Sequence, residues 1–467
     1  MPNDTRLLML THNYPRHPGD HAGVFISILS RRLLNESIQP IVLAPHDPGV
    51  AAYEETGGVK VYRFRYGSDS EENLAYRGNM QTIVTGSLGG LFRFRYFLRR
   101  FERAATEIIA KERIDVIAGH WLIPAGIVMK RLVRDYDLPM ILSSHGTDIR
   151  LVSKSGGLPY IYFKSFCRRL HKWTFVSSYL RDQILARDPR LEPRLEVLPL
   201  PHDESLFYRD SGTAQEANLV VAVTRFTEQK RVNYLIEAFA LVVKEIPEAR
   251  VEIYGEGPRQ GEIERLVASR GLSLDVRTVS GAPPLAVGSS NEPETQGKPR
   301  GTPDSADGRP PGHPDSVGGS PASLPQADIT SGRRGRLSAT VTIHPPVPQE
   351  KLREVYNRAT VVMLNSYREG FGLALSEAMM CGTAVVGVRS GGITDIIEHE
   401  QTGLLAEPDD ARSLASALLR ILKDTSLRTR LSAAGHEFAT ATYSSGPLAA
   451  RYAQLVRTAA QLRQKTS

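Results

Sequence analysis

The chain of 467 residues is longer than one hydrophobic core usually serves, and its 41% hydrophobic and 23% charged content is that of a globular protein. No apolar run approaches the roughly 20 residues that cross a bilayer, and the polar start before Leu7 does not resemble a secretory signal. Two distant cysteines, Cys167 and Cys381, match no metal or redox motif. We therefore expect a cytoplasmic protein of about two domains and not a membrane-spanning protein or a disulfide scaffold.

The net charge of +7 comes entirely from the first part of the chain. Residues 1–200 hold 28 Lys and Arg against 20 Asp and Glu, whereas the remainder holds 30 against 31. The segment Leu91–Arg103 carries five arginines between aromatic and apolar residues. It is either a basic helix that lies on the anionic inner face of a membrane, or an ordinary amphipathic helix with its arginines in water. No zinc, helix-turn-helix or aromatic sheet motif accompanies the charge, so nucleic acid is not a predicted partner.

Short apolar runs alternate with amphipathic helical patterns, and the alternation restarts after Asp203. This pattern predicts βαβ units and two doubly wound, Rossmann-like α/β domains in tandem. We assign residues 1–203 to the first domain, 204–445 to the second, and 446–467 to a final helix that could pack back on the first domain. The predicted strands are Leu7–Leu10, Ile41–Leu43, Val59–Arg63, Val116–Ala118, Met140–Ser143, Trp173–Val176, Asn218–Val223, Arg250–Tyr254, Thr340–Ile343, Thr360–Leu364, Ala384–Val388 and Gly403–Leu405. The predicted helices are Val24–Leu34, Phe97–Lys111, Ala125–Tyr136, Val232–Lys244 and Arg259–Arg270.

Two stretches depart from this alternation. Residues 280–336 are rich in Gly, Pro and Ser and show no periodicity, which predicts a disordered insertion inside the second domain. The stretch from Ala411 to Leu462 is helical throughout in its pattern, with one predicted break near Tyr443–Pro447.

The most informative motif follows the predicted strand Thr360–Leu364. Glu369 and Glu377 stand eight residues apart, and a Gly-Phe-Gly turn separates Glu369 from a predicted helix over Leu373–Met380. The bare N–H groups and the positive end of that helix favour an anionic phosphate, and the carboxylates suit the hydroxyl groups of a ribose and a sugar.

A cationic pair follows the first strand of the second domain. Arg225 and Lys230 stand five residues apart, where a doubly wound sheet binds its ligands. Taken alone they could be solvated loop charges. Because the Glu369 loop belongs to the same sheet, we interpret them as cations that neutralise a diphosphate.

Together these motifs resemble the retaining glycosyltransferases of the family 4 type (glycosyl transferases group 1), which have the GT-B fold of two facing Rossmann-like domains. The resemblance covers nearly the whole chain apart from the insertion. It implies that Glu369 contacts the transferred sugar, that Glu377 contacts the nucleotide ribose, and that Arg225 and Lys230 hold the donor diphosphate. The backbone amides that would line the sugar and phosphates are those of Gly370, Phe371, Gly372 and Leu373.

The resemblance also assigns residues of the first domain. His145, in the stretch Ser143–Asp148, matches a histidine beside the reacting sugar, and Asp148 is a candidate substrate-binding residue. Gly23 lies in a loop that would approach the donor phosphate or the acceptor, and His120 would help to bind the acceptor. Gly23 could instead mark a plain surface turn, and either histidine could be a satisfied loop residue. Two further stretches, Ser390–Gly392 and residues 398–405, match segments that shape the donor pocket.

The implied activity is transfer of a sugar from a nucleotide diphosphate sugar with retention at the anomeric carbon, by front-face displacement. The acceptor is a lipid-linked glycan, a polysaccharide or a small molecule. No cofactor and no metal are predicted, because Arg225 and Lys230 supply the positive charge and no Asp-x-Asp motif stands in place to hold a metal. Two alternatives remain, a nucleotide-sugar-binding protein without catalysis and a dinucleotide oxidoreductase, although no Gly-x-Gly-x-x-Gly follows the first strand. The chain departs from the family at the hinge, Pro199–Asp203, and at the insertion.

Overall fold

A computed structural model describes residues 5–78, 80–154, 158–277 and 340–466. The predicted disordered insertion at residues 280–336 lies outside the described residues. The described chain forms two α/β domains, each built on its own sheet, which confirms the predicted fold class.

The first domain contains an eight-stranded sheet in the order β3-β4-β2-β1-β5-β6-β7-β8. All neighbouring strands are parallel except β3 and β4. The strands are β1 (Thr5–Leu10), β2 (Ile38–Pro45), β3 (Tyr53–Thr56), β4 (Val59–Phe64), β5 (Val116–His120), β6 (Met140–Ser144), β7 (Lys172–Phe175) and β8 (Leu195–Val197). The helices are α1 (Val24–Leu33), α2 (Met80–Gly86), α3 (Leu88–Glu112), α4 (Ile127–Asp135), α5 (Thr147–Lys154), α6 (Leu158–Cys167) and α7 (Ser178–Leu185).

The second domain contains a seven-stranded parallel sheet in the order β11-β12-β10-β9-β13-β14-β15. Its strands are β9 (Leu219–Val223), β10 (Arg250–Tyr254), β11 (Ser273–Val276), β12 (Thr340–His344), β13 (Val361–Leu364), β14 (Ala384–Val388) and β15 (Leu404–Ala406). The helices are α8 (Val232–Glu245), α9 (Gln260–Ser269), α10 (Gln349–Arg358), α11 (Leu373–Met380), α12 (Ile393–Ile396), α13 (Ala411–Lys423), α14 (Thr425–Tyr443) and α15 (Ser445–Thr466).

The central strands are almost entirely buried. Strands β5, β13 and β14 are buried at every position, as expected for parallel strands that helices cover on both faces. Within the described parts of the chain, no helix is long and apolar enough to cross a membrane. Both cysteines are buried and free.

The C-terminal region is not one helical stretch with a single break, which corrects the prediction. A second break occurs at Asp424, whose extended backbone ends α13 and whose carboxylate accepts a hydrogen bond from the Leu427 N–H of α14 at 2.9 Å. The chain breaks again at Ser444, inside the predicted stretch. Helix α15 then packs on the first sheet, where Tyr452 and Val456 join the apolar cluster that contains Leu7.

Candidate active site

The centre of the site is an ion pair at the carboxyl edge of the second sheet. The Lys230 ammonium donates to the Glu369 carboxylate at 2.5 Å, and 16% of each side chain is exposed. Burial alone would raise the pKa of Glu369, but the charge and the hydrogen bond of Lys230 lower it overall. Glu369 is therefore a fixed carboxylate at neutral pH.

A glycine-rich stretch holds Glu369 in place. Gly391 has a left-handed backbone (φ 63°), and a Cβ there would lie 2.3 Å from the Glu369 carbonyl oxygen. The Gly392 N–H donates to that same carbonyl at 2.8 Å, and the Ser390 hydroxyl accepts from the Arg368 N–H at 2.8 Å. The stretch Ser390–Gly392 thus positions the Glu369 loop, and only glycine fits at residue 391 without displacing it.

The turn between the two carboxylates leads directly into helix α11. Gly372, with φ 117°, is the residue before the helix, so the amides of Gly370, Phe371, Gly372 and Leu373 fall in the turn and at the helix start. The ring of Phe371 is buried, 5.5 Å from the ring of Tyr443. The positive end of α11 therefore lies beside Glu369.

Glu377 lies within the first turns of α11 and is buried. Its carboxylate accepts a hydrogen bond from the Tyr356 hydroxyl at 2.8 Å. Burial raises the pKa of Glu377 to about 7, with that hydrogen bond opposing the shift. Its contact with a ribose stays a prediction.

The loop after β9 carries both predicted cations. Arg225 is exposed and makes no ion pair with any residue in the described ranges. The segment after β10 packs closely against this loop and holds it in place. A Cβ on Gly255 would lie 1.9 Å from the Thr224 carbonyl oxygen, and the Phe226 N–H donates to the Glu256 carbonyl at 2.9 Å. Since β9 lies next to β13, the structure places Arg225 and Lys230 at the same sheet edge as Glu369.

Histidines lie at the carboxyl edge of the first sheet. His120 Nδ1 and His145 Nε2 are 3.1 Å apart, so one ring donates a hydrogen bond to the other. Burial lowers the pKa of His120 to about 3, that of His145 well below its usual range, and that of His12 to about 4. All three rings are therefore neutral at pH 7. Sequence reasoning did not select His12, although its position in the loop that follows β1 could have indicated it.

Asp148 and Gly23 shape the loops around these histidines. The buried Asp148 carboxylate accepts from the Leu122 N–H at 2.8 Å, the Ser144 hydroxyl at 2.7 Å and the Gly146 N–H at 3.2 Å. It thereby ties the loop after β5 to the loop after β6, and its contact with substrate stays a prediction. Gly23 has φ 68°, and a Cβ there would lie 2.3 Å from the Asn13 carbonyl oxygen, so it brings the start of α1 against the loop after β1.

The two sheet edges meet across a closed cleft. The Ser177 hydroxyl donates to the Gly370 carbonyl at 2.7 Å, and the Ser178 N–H and hydroxyl donate to Asp395 at 2.5 and 2.6 Å. A Cβ on Gly370 would lie 3.2 Å from the His145 carbonyl oxygen. The His145 loop and the Glu369 loop are thus in direct contact, and the structure brings the predicted residues of both domains to one cleft.

Comparison with known proteins agrees with this arrangement. A family model described as glycosyl transferases group 1 matches residues 204–287 and 335–438, and one described as glycosyltransferase family 4 matches residues 22–206. Two paired Rossmann-like domains with these matches define a GT-B glycosyltransferase. The chain belongs to the glycosyl transferases group 1, which confirms the predicted family and the predicted class of enzyme.

Similar proteins extend over nearly the whole chain. N-acetyl-alpha-D-glucosaminyl L-malate synthase of Bacillus anthracis is 20% identical, over 86% of this chain and 94% of its own length. Sucrose-phosphate synthase of Thermosynechococcus elongatus has a similar structure, with a TM-score of 0.68, 19% identity and coverage of 97% and 98% of the two chains. Anabaena HepE in complex with UDP-glucose has a TM-score of 0.62 at 14% identity and covers 97% and 99%.

Proposed function

We propose that this enzyme transfers a glycosyl group from a nucleotide diphosphate sugar to an acceptor hydroxyl, with retention at the anomeric carbon. The observation that carries the proposal is the Lys230–Glu369 ion pair, which lies at the start of α11 and in the loop that contacts the His145 loop. HepE, which has a similar fold, was solved with UDP-glucose, which supports a donor of this chemical class.

In this proposal the cations act on the leaving group. Arg225, which is exposed and without an ion pair in the described ranges, and Lys230 stabilise the charge that develops on the diphosphate, and the α11 N-terminus assists them. Because protein groups supply this charge, the proposed reaction requires no metal. Glu369, which Lys230 holds in place, binds the sugar hydroxyls. The acceptor oxygen attacks on the face from which the phosphate leaves, and the leaving phosphate oxygen takes the acceptor proton.

The first experiment is a thermal-shift panel of nucleotide diphosphate sugars, followed by turnover assays with the donor that stabilises the protein most. Lys230→Met should reduce kcat/KM with that donor by about 10²–10³-fold, as loss of a charge-stabilising donor does in other enzymes. Lys351→Met, at an exposed lysine on α10, is the matched control and should leave turnover unchanged. Normal turnover by Lys230→Met would refute the proposal, and a product with inverted configuration by NMR would refute retention.

We also propose that the exposed face of α3 contacts an anionic membrane surface. The buried face of α3 packs Phe97 and Phe101 on the core, yet Leu88 and Phe92 on the opposite side are 78% and 70% exposed. Apolar groups flanked by arginines suit the boundary between headgroups and acyl chains. The enzyme should float with vesicles that contain phosphatidylglycerol and not with pure phosphatidylcholine. Absence from both kinds of vesicle at every salt concentration would contradict this contact.

A further inference from the structure

A pocket of about 590 Å³ lies beside helix α3, between the loop that follows β4 and the first half of the helix. Three guanidinium groups line it, those of Arg65, Arg93 and Arg100, and the side chains of Phe92 and Tyr96 form part of its wall. We name this cavity the arginine pocket. It is separate from the loops that carry Lys230 and Glu369, which belong to the second domain.

Two of the three arginines have no carboxylate within ion-pair distance among the described residues. Arg93 and Arg100 form no ion pair with any residue in the described ranges, and Arg100 Nε donates to the Arg65 carbonyl at 2.9 Å. Arg65 pairs with Asp69 and lies 3.5 Å from Glu72. Guanidinium groups that line one pocket repel one another, and a bound anion would relieve that repulsion.

One carboxylate, Glu71, also lines the pocket. Its oxygen accepts from the Ser68 N–H at 2.9 Å and the Ser68 hydroxyl at 2.7 Å, and these bonds, together with the nearby charge of Arg93, lower the pKa of Glu71. Glu71 is therefore ionised and repels an anion, although Ser68 occupies one of its two oxygens, Oε2. Because Asp69 and Glu72 pair with Arg65, the positive charge that stays open to an anion is that of Arg93 and Arg100, against the one carboxylate of Glu71.

We infer that the arginine pocket binds a phosphate group carried by a small molecule or by a lipid headgroup. A phosphate offers several oxygens to planar guanidinium groups, which bind it through paired hydrogen bonds more specifically than an ammonium does. Phe92 and Tyr96, 70% and 50% exposed, provide an apolar wall for the carbon skeleton next to the phosphate. The pocket thus has the parts for an organic phosphate, not only for an inorganic anion.

The position of the pocket indicates which domain its ligand belongs to. In the first sheet β4, β2, β1 and β5 are consecutive neighbours, and adjacent strands lie ~4.8 Å apart. The end of β4 is therefore roughly 15 Å from the end of β5, where His120 lies. A phosphate held in the arginine pocket would belong to a ligand of the first domain. The binding step itself does not depend on the proposed sugar transfer.

The test compares two double variants that remove the same charge from the same helix. Arg93→Gln with Arg100→Gln alters the pocket, whereas Arg95→Gln with Arg99→Gln removes two exposed arginines outside it. Glycerol 3-phosphate is the soluble probe, titrated by calorimetry. We expect the wild type to bind it, the pocket variant to bind about tenfold more weakly or worse, and the control variant to bind like the wild type.

A second arm identifies the source of the phosphate. Vesicles of phosphatidylcholine with phosphatidic acid are offered to the wild type in the presence of glycerol 3-phosphate. Displacement of the enzyme by the soluble probe shows that a lipid headgroup occupies the pocket. An enzyme that the probe does not displace is held by the exposed face of α3, and binding of the probe in the calorimeter then shows that the ligand of the pocket is a soluble phosphate. Equal loss of binding in the two double variants, or no binding of either probe by the wild type, would overturn the inference.

Two controls keep the outcome clear. Unchanged melting temperatures show that the variants fold. The thermal shift with the best nucleotide sugar should be the same in the wild type and both variants, because the donor site lies in the second domain. A failure of the arginine pocket can thereby be told apart from a failure of the proposed sugar transfer.

Discussion

Replacing Glu377 by glutamine should stabilise the second domain at alkaline pH and change it little at acid pH. Burial raises the pKa of the folded carboxyl from 4.5 to about 7, so between these values the folded chain holds a proton that the unfolded chain has released. Stability from this group is present below pH 4.5 and is lost as the pH rises to 7. Glutamine keeps an oxygen that can accept from Tyr356 and carries no charge to desolvate.

The size of the effect follows from the shift. A difference of about 2.5 pKa units corresponds to about 3 kcal/mol, so Glu377→Gln should be more stable than the wild type by up to that amount at pH 8. The difference should shrink to less than about 1 kcal/mol at pH 5. At roughly 2–4 °C per kcal/mol, the melting temperature of the second domain should rise by about 6–12 °C at pH 8.

The assay is a thermal melt of both proteins at pH 5 and pH 8. Glu354→Gln, the same chemical change at an exposed position on α10, serves as the control and should leave the melting temperature unchanged at both values. Equal melting temperatures of wild type and Glu377→Gln at pH 8 would refute the reasoning, because a charged carboxylate buried without a cation would then carry no penalty.

Two further predictions concern the supports of the site. Gly391→Ala should lower donor turnover at least about tenfold, since its Cβ would meet the Glu369 carbonyl, whereas Gly271→Ala, with a similar positive φ but open space around it, should lose only about 1 kcal/mol of stability and no activity; equal activity of the two variants would contradict this. The buried histidines should make the protein acid-labile, because below pH 6.5 the unfolded chain binds protons that the folded rings refuse. Between pH 6.5 and pH 5, His120→Asn should lose about 2 kcal/mol less stability than the wild type. Melts in which the two proteins show the same pH dependence would contradict this prediction.

Much of the fold could be read from the sequence, since central strands are continuous apolar runs. Three of the four edge strands could not. Strand β3 reads Tyr-Glu-Glu-Thr and is largely exposed, and β8 and β11 are short and partly polar, so each forms because a neighbouring strand offers hydrogen bonds and not because of its own pattern. Helices α5, α6 and α7 were also missed, because they have only eight to ten residues each and show too little of the helical period.

The candidate site shows the same limit at the level of side chains. The spacing of Glu369 and the cations predicted a shared sheet edge, and the structure places them there. The ion pair of Lys230 with Glu369 depends on loop geometry, as does the contact of His120 with His145. The buried position of the Asp148 carboxylate likewise depends on which backbone amides surround it. Side-chain chemistry can be predicted from residue type, but the choice of partner requires the folded loops.

Because helix α15 returns to the first domain, two segments of the chain connect the two domains at the hinge, and not one. The linker and the segment before α15 run side by side, and the His202 N–H donates to the Tyr443 carbonyl at 2.8 Å. Glu204 fastens both to the first domain, because it accepts from Arg32 at 2.6 Å and from the Ser445 hydroxyl at 2.6 Å. Two adjacent connections between the domains allow rotation about one axis and restrict twisting about the others. Opening of the cleft should therefore be a rotation in one plane, and a first domain expressed without α15 would lack one layer of its own core.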